Sequence, residues 1–236
     1  MAANALPTSP LSALGTVPGI PGGFQTKQEL VYRALRERIM DGQLPPGQRL
    51  VIDEIAGAYA VSPIPVREAL HLLQAERLVE MRPHLGAVVA PISADAINEI
   101  FALMECLEVA AVRLAVKHVT HEHIAILNAA ITDMELAKGD YERWAERNFA
   151  FHSAICAIAE MPRVREMTAR VFTEWERMRR YFYRGSPPPD LDHAHKEHVA
   201  MVDALRKRDL ERLERLTRAH NQGALKSYLK LSERTK

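Results

Sequence analysis

An excess of positive charge is missing from this chain. Lys and Arg number 31 against 30 Asp and Glu, for a net charge of +1 with histidine neutral. Binding to a polyanion by bulk charge is therefore excluded, and any nucleic-acid surface must gather its cations on one face. Cysteine is scarce: only Cys106 and Cys156 occur, without C-x-x-C spacing and each among apolar neighbours. They read as two buried free thiols in a reducing cytoplasm and exclude a disulfide framework. No unbroken apolar run of about 18 residues exists, so no membrane span is expected. The opening stretch lacks the charged start and apolar block of a signal peptide. Its Pro, Gly, Ser and Ala content reads as a disordered arm over residues 1–25. What remains, 47% hydrophobic and 26% charged, is ordinary for a globular protein of one or two domains.

The helical period appears first in "KQELVYRALRERIMD", where Leu30, Val31, Ala34, Leu35 and Ile39 share a face. Gly42 and the turn Pro45-Pro46-Gly47 end it. A short helix follows in "VIDEIAGAYA", then a third running on from "VSPIPVREAL", with Leu70, Leu73 and Leu78 inward. "LVEMRPHLGAVVAPI" reads as two β-branched strands around a tip at Arg82–Gly86. Three helices and a hairpin make a winged helix-turn-helix, assigned to residues 26–92. From Ser93 every segment has helical period, with Ser93 and Thr120 as N-caps, Gly139 and "SPPPDL" as breaks, and about six helices. The expected fold is mainly α, with an all-α bundle over residues 93–232.

Two prolines at the start of the third helix need an account. With Ser62 as N-cap, its hydroxyl accepting from an N–H one turn in, Pro63 and Pro65 occupy the first and third helical positions. Opening N–H groups have no intrahelical partner, so losing two of them breaks no ladder bond. The prolines mark a rigid helix start, and the first residues of a recognition helix are those that meet base edges. Arg67, one turn in, can fork onto guanine or phosphate, or pair with a carboxylate such as Glu68.

"LPPGQRL" followed by "EIAGAYAVSPIPVREALHLLQAERLVEMRPHLGAVVAPIS" resembles the DNA-binding domain of GntR-family bacterial regulators. The helical remainder resembles the FCD ligand-binding domain of the family's FadR-like branch. The resemblance places Ser62, Ile64, Pro65 and Arg67 at the recognition-helix start, Arg49 before the second helix, and His84 and Gly86 at the wing tip. Two departures stand out: Pro63 replaces a customary arginine, and Arg77 replaces a customary glycine.

The same branch commonly holds a divalent metal through one Asp and three His. Here "NFAFH" puts Asn148 and His152 one turn apart on one face, with Asn in place of Asp. "KEHVAMV" supplies His198, with His195 as its rival, and "LTRAHNQ" supplies His220; His118, His121, His123 and His193 read as solvated, like His195. Three imidazoles favour Zn²⁺ or Ni²⁺. In "ALMECLEVAAVRLAV" the family's arginine is Met104, while Glu108 is retained. Arg170, Arg177, Tyr181 and Tyr183 lie on one helix, where some either clamp an anionic effector or form a solvated basic face. The implied protein is a cytoplasmic metabolite-responsive regulator, a repressor rather than an enzyme, binding a palindromic double-stranded DNA operator as a homodimer and answering a small acidic effector, with no membrane partner. A metal sensor is the nearer alternative and a metal-dependent hydrolase the remoter one.

Overall fold

The computed structural model describes residues 26–183 and 190–234. The expected arm, and most of "SPPPDL", lie outside the described residues. The chain divides into two compact units, Met1–Pro91 and Ile92–Lys236, each described by itself.

In the first unit α1 (Lys27–Met40) starts at Thr26, whose hydroxyl accepts from Glu29 N. It buries Val31, Leu35 and Ile39 at helical spacing. α2 (Ile52–Ala58) and α3 (Pro63–Ala75) complete a three-helix core around Ile55, Val66, Leu70 and Leu73. The wing is β2 (Val79–Arg82) paired antiparallel with β3 (Gly86–Val89). A two-residue strand, β1 (Arg49–Leu50), joins its far edge with Arg49 opposite Val88, giving the order β1-β3-β2. Arg77 adopts φ 57, the left-handed region that glycine enters without a side-chain penalty, so the departure from a glycine there carries strain.

In the second unit six helices occur among the described residues: α4 (Ala94–His118), α5 (His121–Leu136), α6 (Tyr141–Ile158), α7 (Pro162–Tyr183), α8 (Leu191–Arg206) and α9 (Leu210–Arg234). Ser93 caps α4 by accepting from Ala96 N, and Thr120 forms a capping box with His123. α5 ends at Leu136, ahead of the expected stop at Gly139. α4 is the central helix and packs against α6, α7, α8 and α9. Its buried residues, among them Ile97, Phe101, Met104, Glu108 and Val112, follow the helical repeat. Cys106 falls off that stripe and is exposed, so of the two thiols expected inside only Cys156 is buried. No helix among the described residues is long and apolar enough to cross a membrane.

Candidate functional site

Ser62 has the extended backbone of an N-cap (φ −73, ψ 164), yet its side chain makes no cap hydrogen bond, contrary to expectation. An N-cap hydroxyl accepts from the second or third helical N–H, and the third residue is Pro65, which has none. Ser62 stays exposed, and Ile64 beside it is 67% exposed, an unusual placement for isoleucine. Arg67 also faces solvent, and no pairing with Glu68 forms. Pro65 is half-buried and shapes the helix entry. Arg49 is exposed on β1, and His84 and Gly86 are exposed at the wing tip with φ 63 and 76. Three of the expected contact residues thus share the exposed entry of one helix, and three share one small sheet.

The histidines meet inside the helical unit. α6 supplies His152, α8 His198 and α9 His220, and their ligand nitrogens lie within 4.8 Å of one another. His198 is fully buried, and neither of its ring nitrogens has a hydrogen-bond partner among the described residues. The buried Asn148 Oδ1, one turn before His152, is likewise unpartnered. Burial, with His220 and His152 close by, holds the His198 imidazole well below its ordinary pKa, so it is a neutral donor. His152 Nδ1 lies 2.8 Å from Glu108 Oε1, and His220 Nδ1 lies 2.7 Å from Glu197 Oε2. The Glu197 carboxylate accepts from His220 Nδ1 and leaves that ring's Nε2 lone pair free, whereas Glu108 Oε1 meets His152 Nδ1 at ion-pair distance without hydrogen-bond alignment. Glu108 Oε2 accepts from Asn221 Nδ2 at 2.6 Å. Burial alone would raise the Glu108 carboxyl; the His152 and His220 rings and the Asn221 amide reverse this and hold it low. Unpartnered neutral donors converging in this way fit a borderline divalent cation.

His195 does not join this group: it is half-buried, against expectation, and lies 3.2 Å from Glu135. Glu197 and Asn221 escaped the sequence reading, because helical spacing does not say which residue of a neighbouring helix a histidine will meet. Beside the histidines is a cavity of about 160 Å³, walled by rings that include Trp144, Trp175, Tyr183 and Tyr228. The expected effector clamp is not there. Arg170 is exposed and bound to Glu166, and neither it nor Arg177 nor Tyr181 lines the cavity; of the four expected residues Tyr183 does. α7 turns Val171, Phe172, Trp175 and Met178 into the core, which carries Arg170 and Tyr181 outward.

A winged helix-turn-helix with an exposed recognition helix, in one chain with a helical unit that encloses a ligand-sized cavity, defines a DNA-binding transcription regulator. Residues 27–89 match bacterial regulatory proteins, gntR family, and residues 99–223 match the FCD domain, so the chain belongs to the GntR family and carries an FCD domain. It is 29% identical over 205 residues to the HTH-type transcriptional regulator BphR of Paraburkholderia xenovorans, covering 84% of this chain and 83% of that one. It is 29% identical over 197 residues to the HTH-type transcriptional repressor GlaR of Escherichia coli, covering 80% and 90%. The solved structure of E. coli McbR/YncC superposes with a TM-score of 0.68 at 25% identity, covering 88% of this chain and 99% of that one. These relatives are named as regulators, not enzymes, which removes the hydrolase alternative.

Proposed function

We propose that this regulator is a repressor that binds a palindromic operator as a homodimer and changes its DNA affinity when a small molecule enters the cavity of its FCD domain. A divalent metal, Zn²⁺ or Ni²⁺, held by Asn148, His152, His198 and His220, forms one wall of that effector site and offers an effector donor atom a Lewis-acidic contact. The observation that carries this reading is the fully buried His198 with two unpartnered nitrogens, facing two further histidines that carboxylates hold in place. Buried polar groups without partners are costly and rare unless something binds them. The likeness to GlaR supports repression, and the two-fold symmetry of a homodimer supports a palindrome. The effector acts only if it binds the DNA-competent and DNA-incompetent arrangements with different affinity. The acidity expected of it rested on two features: the arginines of α7, which do not line the cavity, and open positions on the metal that could take a carboxylate, which remain available.

Ser62, Ile64 and Arg67 are proposed to read the operator, with Arg49, His84 and Gly86 against the flanking backbone and Pro65 fixing the helix entry. The test is selection from a genomic DNA pool at fixed salt, with wild type and Arg67→Ala side by side. The expected result is one palindrome enriched by wild type, with Arg67→Ala weakened about tenfold or more, the cost of one lost bidentate base contact of about 1–3 kcal/mol. Equal enrichment by both proteins overturns the role of Arg67. Repeating the binding across free Zn²⁺ separates a metal that is the signal, which gives a steep dependence, from one that forms the site.

A further inference from the structure

The cavity beside the histidines has a lining of unusual sign. Six aromatic rings face it: Phe101, Tyr141, Trp144, Trp175, Tyr183 and Tyr228. Its charged walls are Glu108, Asp190 and Glu197, and no lysine or arginine occurs among the described residues that line it. Three carboxylates outnumber even a bound dication by one unit of charge. Arg179 touches the wall only from behind: its guanidinium lies 5.1 Å from the Tyr141 ring centroid and is claimed by Glu142 and Glu176. Met104, buried on α4 one turn before Glu108, presents a thioether where a cation would have served an anionic ligand. The phenols stay neutral as well, since burial raises the pKa of Tyr141, Tyr183 and Tyr228.

From this lining we infer that the cavity takes a single-ring aromatic ligand without negative charge, and rejects the corresponding carboxylate. The inference rests on reading the cavity as the effector site. Its volume of about 160 Å³ is close to that of an engineered apolar cavity, roughly 150 Å³, that holds benzene. Ring faces give stacking and edge contacts to an aromatic guest, and their negative quadrupoles add to the carboxylates in opposing an anion. A carboxylate entering this space leaves its hydration shell and finds no lysine or arginine among the described lining residues to replace it. Met104 is the specificity-determining residue.

Both tryptophans of the chain, Trp144 and Trp175, line the cavity, so intrinsic fluorescence reports occupancy directly. The probes are benzyl alcohol, benzylamine and benzoate, titrated at pH 7 into the full-length protein as purified. The expected result is a saturable fluorescence change with benzyl alcohol or benzylamine and at least tenfold weaker binding of benzoate. Met104→Arg is expected to raise benzoate affinity at least tenfold relative to benzyl alcohol, while Met104→Leu keeps the wild-type order. Should Met104→Arg fail to fold, Glu197→Gln removes one negative charge instead and should narrow the gap. Benzoate binding as well as the uncharged probe, or no saturable change with any probe, overturns the inference. Operator binding measured in parallel separates the two readings. A probe that fills the cavity without altering DNA affinity keeps the ligand class and sinks the effector role. An empty cavity alongside a selected operator sinks the ligand class alone.

Discussion

Cys156 packs against Ala111 and Ala159 under Thr168, and burial, reinforced by the nearby Glu108 carboxylate, pushes its thiol up to about 11. Cys106 stands on the solvent face of α4. Thiolate is the reactive form, so burial denies Cys156 both access and ionisation. Labelling the native protein with iodoacetamide at pH 8 and mapping the adducts by mass spectrometry should find Cys106 modified and Cys156 untouched until denaturant is added. Equal labelling of both under native conditions contradicts this packing. The sequence placed both thiols inside because their flanking residues are apolar. Position on the 3.6-residue repeat decides the matter, and Cys106 lies on the opposite side of α4 from Met104. The histidine cluster shows the same limit from the other side. Asn148, His152, His198 and His220 were legible through a family resemblance, but the partners Glu197 and Asn221 come from packing between helices.

Among the elements, α6 and α7 are joined by a cation deep in the fold. Arg179 is 1% exposed, donates to Glu176 at 2.7 Å and to Glu142 at 3.1 Å, and covers the Tyr141 ring. Removing one partner of a buried ion pair costs about 3–5 kcal/mol when the other is left wholly uncompensated. Glu176 retains Arg180, and Glu142 reaches solvent, so Arg179→Ala is expected to cost somewhat less, about 2–3 kcal/mol. Urea unfolding measures this as a lowered midpoint with an unchanged slope; a shift below about 0.5 kcal/mol, the scale of ordinary surface substitutions, means the contact is not structural. Most of the helices were readable, because they carry their period over three turns or more and begin at a polar cap or a proline. β1 was not. Two residues carry no period, and the strand exists only because Arg49 and Leu50 meet Val88 and Ala87 across the wing.

The two largest apolar clusters among the described residues lie one within each unit. The cluster of His152, His198 and His220 lies within the helical unit, so the proposed metal would stabilise that unit. Calorimetry of the full-length protein should resolve two transitions, and EDTA should lower one of them by several degrees while leaving the other in place. His198→Ala should melt like the chelated wild type and no longer respond to EDTA or added Zn²⁺. A wild-type profile indifferent to both reagents removes the metal from the proposal. In the first unit, α3 divides its work by residue. Val66, Ala69, Leu70 and Leu73 hold the core, while Ser62, Ile64 and Arg67 face outward and belong to no buried cluster. Prolines at its first and third positions also remove two amides with which a helix start could grip phosphate whatever the base sequence. On the proposed reading of the operator, drift at positions 62, 64 and 67 rewrites the address while sparing the buried core, and a duplicated copy of this gene could acquire a new set of targets without passing through an unstable ancestor.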